Sequence, residues 1–128
     1  MRVARRWAWH AGLAPWVLAA VAVGDVHAAG HPRTLCGWWL NPTPQNVWLI
    51  DRSGEWTVSV QGGHAASGTW PDFADRQWVV TSSGMHGYGC ACLHAVVDVT
   101  SRNVEAIRLA RVRPLRACRS DSQLPPPR

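Results

Sequence analysis

The densest run of chemically capable side chains is Met85-His86-Gly-Tyr-Gly-Cys90-Ala-Cys92-Leu-His94. Thioether, imidazole and thiolate are soft donors, a set that selects Cu(I) or, with less suitable spacing, zinc. On an extended chain Cys90, Cys92 and His94 share one face, because side chains alternate. The competing chemistry is oxidation. Cys36 and Cys118 bring the cysteines to four, and an even count in a small exported domain reads as a disulfide framework. A Cys90–Cys92 bond would strain disulfide geometry. The pairing is then Cys36–Cys90 with Cys92–Cys118, or Cys36–Cys92 with Cys90–Cys118, and the residues leave both open. Either choice ties the two ends of the domain to one central strand. Oxidised cysteines offer no thiolate, so no cofactor is expected. A soft-metal carrier built on Met85, His86, Cys90, Cys92 and His94 is the alternative.

Other constellations are thinner. Asp72 and Asp75 are paired carboxylates, but a glycosidase needs such a pair across a substrate cleft. Ser82 and Ser83 lack the Gly-x-Ser-x-Gly elbow. Gly84, Gly87 and Gly89 neither follow phosphate-loop spacing nor open a helix. No catalytic set assembles, and the chain is read as a non-enzyme. Tryptophan is the compositional outlier, with nine copies against one Phe and one Tyr. Adjacent Trp38 and Trp39 must face opposite sides of a strand. Trp70 stands in a loop beside Pro71. Trp39 and Trp70 are therefore the candidates for a stacking surface, with His64, His86 and Tyr88 as further ligand-binding candidates in Gly-rich stretches. Arg108, Arg111, Arg113, Arg116 and Arg119 form a basic run, read as a solvated edge that resists edge-to-edge pairing.

The N-terminus decides where this chemistry operates. Arg2, Arg5 and Arg6 precede an apolar run from Leu13 to Val23, and Val26-His27-Ala28 supplies small residues at the −3 and −1 positions. That order is a secretory signal peptide, residues 1–28. Its apolar run of 11 residues is short of the roughly 20 that a spanning helix needs. No stable membrane span is expected after cleavage, and the location is secreted or periplasmic. Cleavage leaves 100 residues with ten Arg and seven acids, net +3 against +5 for the whole chain. Such a charge names no partner, and nucleic acid is not expected.

No stretch sustains an apolar repeat of helical period. Short Val-, Trp-, Ile- and Thr-rich runs appear instead, broken by Gly, Pro, Asn and Asp. Strands are expected at 36–40, 47–51, 55–61, 76–81, 90–100 and 104–113. In the third, Trp56, Val58 and Val60 face one side. In the fifth, Ala91, Leu93, Ala95, Val97 and Val99 do so. The expected class is all-β: a small antiparallel barrel or sandwich of about six strands behind an N-terminal signal helix. Residues 29–35 are read as a linker, 36–120 as the disulfide-tied domain and 121–128 as a disordered tail. Loops 41–46, 62–75 and 82–89 are left to meet a partner.

Six segments, in this order, carry a family resemblance: Cys36-Gly37-Trp38, Asn41-Pro42-Thr43-Pro44-x-Asn46, Asp51-Arg52-x-Gly54-Glu55-Trp56-Thr57, Gln61-Gly62-Gly63, Gly87-Tyr88-Gly89-Cys90-Ala91-Cys92 and Arg113-Pro114-Leu115-x-Ala117-Cys118. Together they resemble the bacterial domain-of-unknown-function family 4087 over about residues 35–120. The resemblance implies an exported bacterial domain with paired cysteines and carries no activity, ligand or site residue. The functional expectation from the residues is a non-catalytic binding or interaction module of the cell envelope. Its partner is an unknown envelope protein or glycan, with inhibition of a hydrolase as one form of that role.

Overall fold

A computed structural model describes residues 30–128; the expected signal peptide lies outside the described residues. The domain is all-β. Its strands are β1 (His31–Thr43), β2 (Asn46–Asp51), β3 (Gly54–Ser59), β4 (Ser67–Gly68), β5 (Trp78–Ser82), β6 (His86–Asp98) and β7 (Asn103–Arg113). One short helix, α1 (Leu115–Arg119), follows β7. It has too few turns to leave a periodic signal in the sequence.

The choice between barrel and sandwich is decided by which strands pair. β1 pairs antiparallel with β2 and with β6, and β2 with β3. β7 pairs antiparallel with β6 and touches β3 in parallel at Thr57 and Asn103. The sheet therefore closes on itself as β1-β2-β3-β7-β6, a five-stranded Greek-key barrel, which removes most of its exposed edges. β5 continues the row beyond β6, and β4 lies parallel beside β7.

Bulges let the strands curl into so small a barrel. On β7 the register slips twice against β6, so Val104 and Ile107 both point inward at a spacing of three. On β3 a slip between the partners of Val47 and Trp48 leaves Val58 and Ser59 both buried. This slip overturns the simple alternation read from the sequence. Val60 falls past the end of the strand and is 41% exposed, and Val99 lies in the β6–β7 turn, also exposed. Leu35, Leu49, Trp56, Leu93 and Val97 fill the interior.

One end of the barrel is tied by an arginine. Arg102, at φ 59°, stacks its guanidinium 3.8 Å from the Trp56 ring centroid. It also donates to the Ser53 carbonyl of the β2–β3 turn and to the Glu55 carbonyl at the start of β3. A cation held over an aromatic face in this way adds about 0.5–2 kcal/mol. It also helps hold a backbone conformation that side-chain-bearing residues disfavour.

Four boundaries differ from the sequence reading. The loop expected at 41–46 shrinks to the turn Pro44-Gln45, because β1 runs on through Pro42 to Thr43, which pairs with Asn46 of β2. The expected linker is strand from His31 onward, paired through Leu35 with β6. The Gly-rich stretch read as loop 82–89 narrows to a turn, because β6 already begins at His86. The expected disordered tail lies against the barrel: Asp121 pairs with Arg52 at 3.0 Å, Arg128 pairs with Glu55, and Leu124 packs on apolar side chains.

Candidate functional site

The cysteines come first, because they fix what is rigid. Cys36 bonds Cys92 and Cys90 bonds Cys118, the second of the two pairings the residues left open. Cys36–Cys92 joins residues directly opposite on β1 and β6. Cys90–Cys118 pins α1 to the barrel wall. The loops closed span 56 and 28 residues, and loop-closure entropy puts each bond at about 4 kcal/mol. The metal set of the alternative reading does not assemble. Both of its cysteine sulfurs are in disulfides, to different partners. His94 is exposed beside Thr34 (3.2 Å), and His86 lies eight residues back along β6, roughly 26 Å for an extended strand.

The five ligand-binding candidates separate. Tyr88 faces outward and meets Trp38 edge-on at 5.3 Å. His64 bonds through Nε2 to the Val104 carbonyl at 2.8 Å, and its own carbonyl accepts from Val60; it braces a turn. His86 sits at the start of β6. Only Trp39 and Trp70 come together, edge to face at 5.6 Å. Even here the expectation of two surface rings is half right. Trp39 is buried in the barrel core, and Trp70 lies over it as the ring that meets solvent.

Around this pair the molecule opens a cleft of about 410 Å³ at the barrel mouth, where β1 ends and β6 begins. Its walls are two aromatic pairs, Trp39 with Trp70 and Phe73 with Trp78, the latter 4.9 Å apart. Val80 and Met85 form the rim. Asn41 and Asp75 are the polar side chains. A volume in the range of ligand sites, apolar walls and a few polar groups are the ordinary make-up of a binding pocket.

Each part is held in place. The Trp70 indole N–H donates to the Ala66 carbonyl (3.0 Å), and the Ala66 N–H donates in turn to Val58 on β3. The Trp78 indole N–H donates to the Met85 carbonyl at 2.9 Å. Met85 itself is left-handed, φ 63°, and the residue is 63% exposed. Phe73 rests on Gly89, where an added Cβ would come within 2.4 Å of the ring. That glycine, which looked like loop material, is the seat of the aromatic wall. Gly68 has a similar duty below Trp70: at φ +97° it brings β4 against the Ile107 carbonyl.

Asn41 is the polar group that sequence reasoning missed. It follows Trp39 by two, on the inward side of β1, and its Oδ1 is buried with no hydrogen-bond partner. Trp56 Nε1 is similarly orphaned inside the core. An unpaired buried polar atom costs about 1–3 kcal/mol, so one at a pocket wall is a pointer to what the pocket receives. Asn41 stood in a Pro-rich loop by composition, and nothing local marked it. Phe73 and Trp78 were equally unmarked, because only the 70–77 loop folding over Gly89 brings them to Trp39.

A disulfide-pinned small β-barrel with one open aromatic cleft is the class of protein that fold and site define. The family model described as a protein of unknown function, DUF4087, matches residues 30–125, and the chain belongs to that family. Among curated proteins and among solved structures, nothing matches the chain. Among the described residues, no helix is long and apolar enough to cross a membrane.

Proposed function

We propose that this is an exported, non-catalytic binding module whose ligand occupies the aromatic cleft. The observation that carries this reading is the rigidity of the cleft walls around an opening that none of the described residues fills. Indole N–H bonds, a glycine seat and a covalently tied barrel hold four aromatic rings in place, so little ordering entropy remains to be lost on binding. Loops held on a stiff scaffold are where binding usually sits. Two disulfides are the bonding of a non-reducing compartment, in keeping with export and with an envelope partner. The cleft brings no nucleophile–base pair within its walls, which favours recognition over turnover.

Titration of intrinsic tryptophan fluorescence with separate glycan, peptide and lipid fractions of bacterial envelope tests the proposal. A saturable change is expected with one fraction, lost in Trp70→Ala. Flat titrations with all three, or a change that Trp70→Ala leaves intact, overturn it.

A further inference from the structure

A second hollow, about 450 Å³, lies beside the aromatic cleft and shares two residues with it, Asn41 and Trp70. Its other walls come from the end of β3 and the turn after it, including Ser59, Val60 and Gly62-Gly63, and from Gln45 of the β1–β2 turn. Trp70 and Asn41 thus form a low ridge inside one longer groove. Six large apolar side chains of the described residues are conspicuously exposed, and four of them, Val60, Trp70, Val80 and Met85, line this groove. Exposed apolar surface gathered in one place marks a contact surface.

From this geometry we infer that the groove takes a neutral oligosaccharide of at least two pyranose units, straddling Trp70. The inference rests on the cleft being the binding site, and it names the ligand. Two of the three indole N–H groups at the cleft, those of Trp70 and Trp78, are already satisfied internally. What the rings offer is their faces, and the C–H face of a pyranose is the complement of an aromatic face. The polar side chains on offer are two planar amides, one hydroxyl and one carboxylate: Asn41, Gln45, Ser59 and Asp75. These are groups that pair with adjacent hydroxyls, and the Asn41 acceptor lacks a donor. Charge excludes the acidic polymers. Asp75 is the single charged side chain in either hollow, while the Arg-rich run of β7 and α1 lines neither. The open, two-chambered shape suits a chain that enters and leaves, rather than a lipid tail that needs an enclosed apolar cavity.

The test is calorimetric titration of the disulfide-bonded protein with β-1,4-linked N-acetylglucosamine and glucose oligomers of one to six units. Affinity is expected to rise at least tenfold from one unit to three or four and then level off. Trp70→Ala should cost tenfold or more, Trp70→Phe much less, and Asn41→Ala several-fold. Leu109→Ala, at an exposed site elsewhere, should change nothing. Circular dichroism melts of each variant separate a lost site from a lost fold. Equal affinity for one unit and for four overturns the straddling ligand. Absence of binding by every oligomer overturns the inference. If an extended peptide then binds in a Trp70-dependent way, the cleft remains the site and only the sugar is wrong. Oligomer binding that Trp70→Ala leaves untouched removes both readings.

Discussion

Two aromatic clusters lie back to back on β1, built on the adjacent Trp38 and Trp39. Trp39 points into the barrel and supports the open cleft. Trp38 points outward with Leu40, Ile50 and Tyr88, and that face is closed. The cover is the C-terminal segment: Leu115, Ala117 and Leu124 lie on it, Cys118 is bonded through it, and Asp121 clips it to Arg52. The chain spends its last residues and one disulfide on hiding the outer face. The barrel mouth, also aromatic, is left uncovered by the described residues. Aromatic richness therefore does not distinguish core from site; what distinguishes them is whether a segment is tied across.

The contrast breaks most sharply at Trp39. Trp39→Ala should cost about 3–5 kcal/mol, the range for emptying a buried tryptophan site, while Trp70→Ala should cost far less stability and abolish binding. Urea denaturation of both variants checks this. A similar stability loss in the two would mean that Trp70 is core. Next comes the cover. Replacing Cys90 and Cys118 together with Ala should lower stability by about 2–4 kcal/mol and raise dye binding at the outer face, with cleft affinity kept. If the cleft is lost as well, the two regions are one cooperative unit. A smaller effect is expected at Gly89. Gly89→Ala forces the Phe73 ring off its seat, at about 1–3 kcal/mol for overpacking, and should weaken ligand binding more than a wall-distant change of equal cost.

The smallest effect concerns pH and the clip. The Asp121 carboxyl is held below its usual 3.8 by the Gln123 backbone N–H, with Arg52 adding to the effect. A depressed folded pKa contributes stability that is present above the ordinary carboxylate value and is lost as pH falls through the folded value. Asp98 behaves alike in the β6–β7 turn, through Ser101 and Thr100. Asp121→Asn should thus flatten part of the stability decline below about pH 4 and leave the neutral-pH cleft untouched, as thermal melts across pH would show.

Much of the fold was legible in single residues. The strands stood out because Val, Ile, Trp and Thr in short runs between Gly and Pro permit little else, and the opposite facing of Trp38 and Trp39 follows from alternation alone. The candidate site was legible only at Trp70 and half-legible at Trp39. Asn41, Phe73, Trp78 and Met85 come from four separate stretches, and no local pattern joins them. His64, His86 and Tyr88 looked equally eligible, because composition cannot tell a ligand side chain from a brace.

The sequence alone determined the class, the even set of cysteines and the narrowing of their pairing to two choices, all consequences of local sterics and of what neighbouring residues can reach. Only the tertiary structure decided that β7 closes the sheet onto β6, that Cys92 takes Cys36 rather than Cys118, and that the mouth stays open while the outer face is sealed. Those outcomes depend on register and on contacts between residues tens of positions apart, and bulges shift that register without leaving a mark in the order of residues.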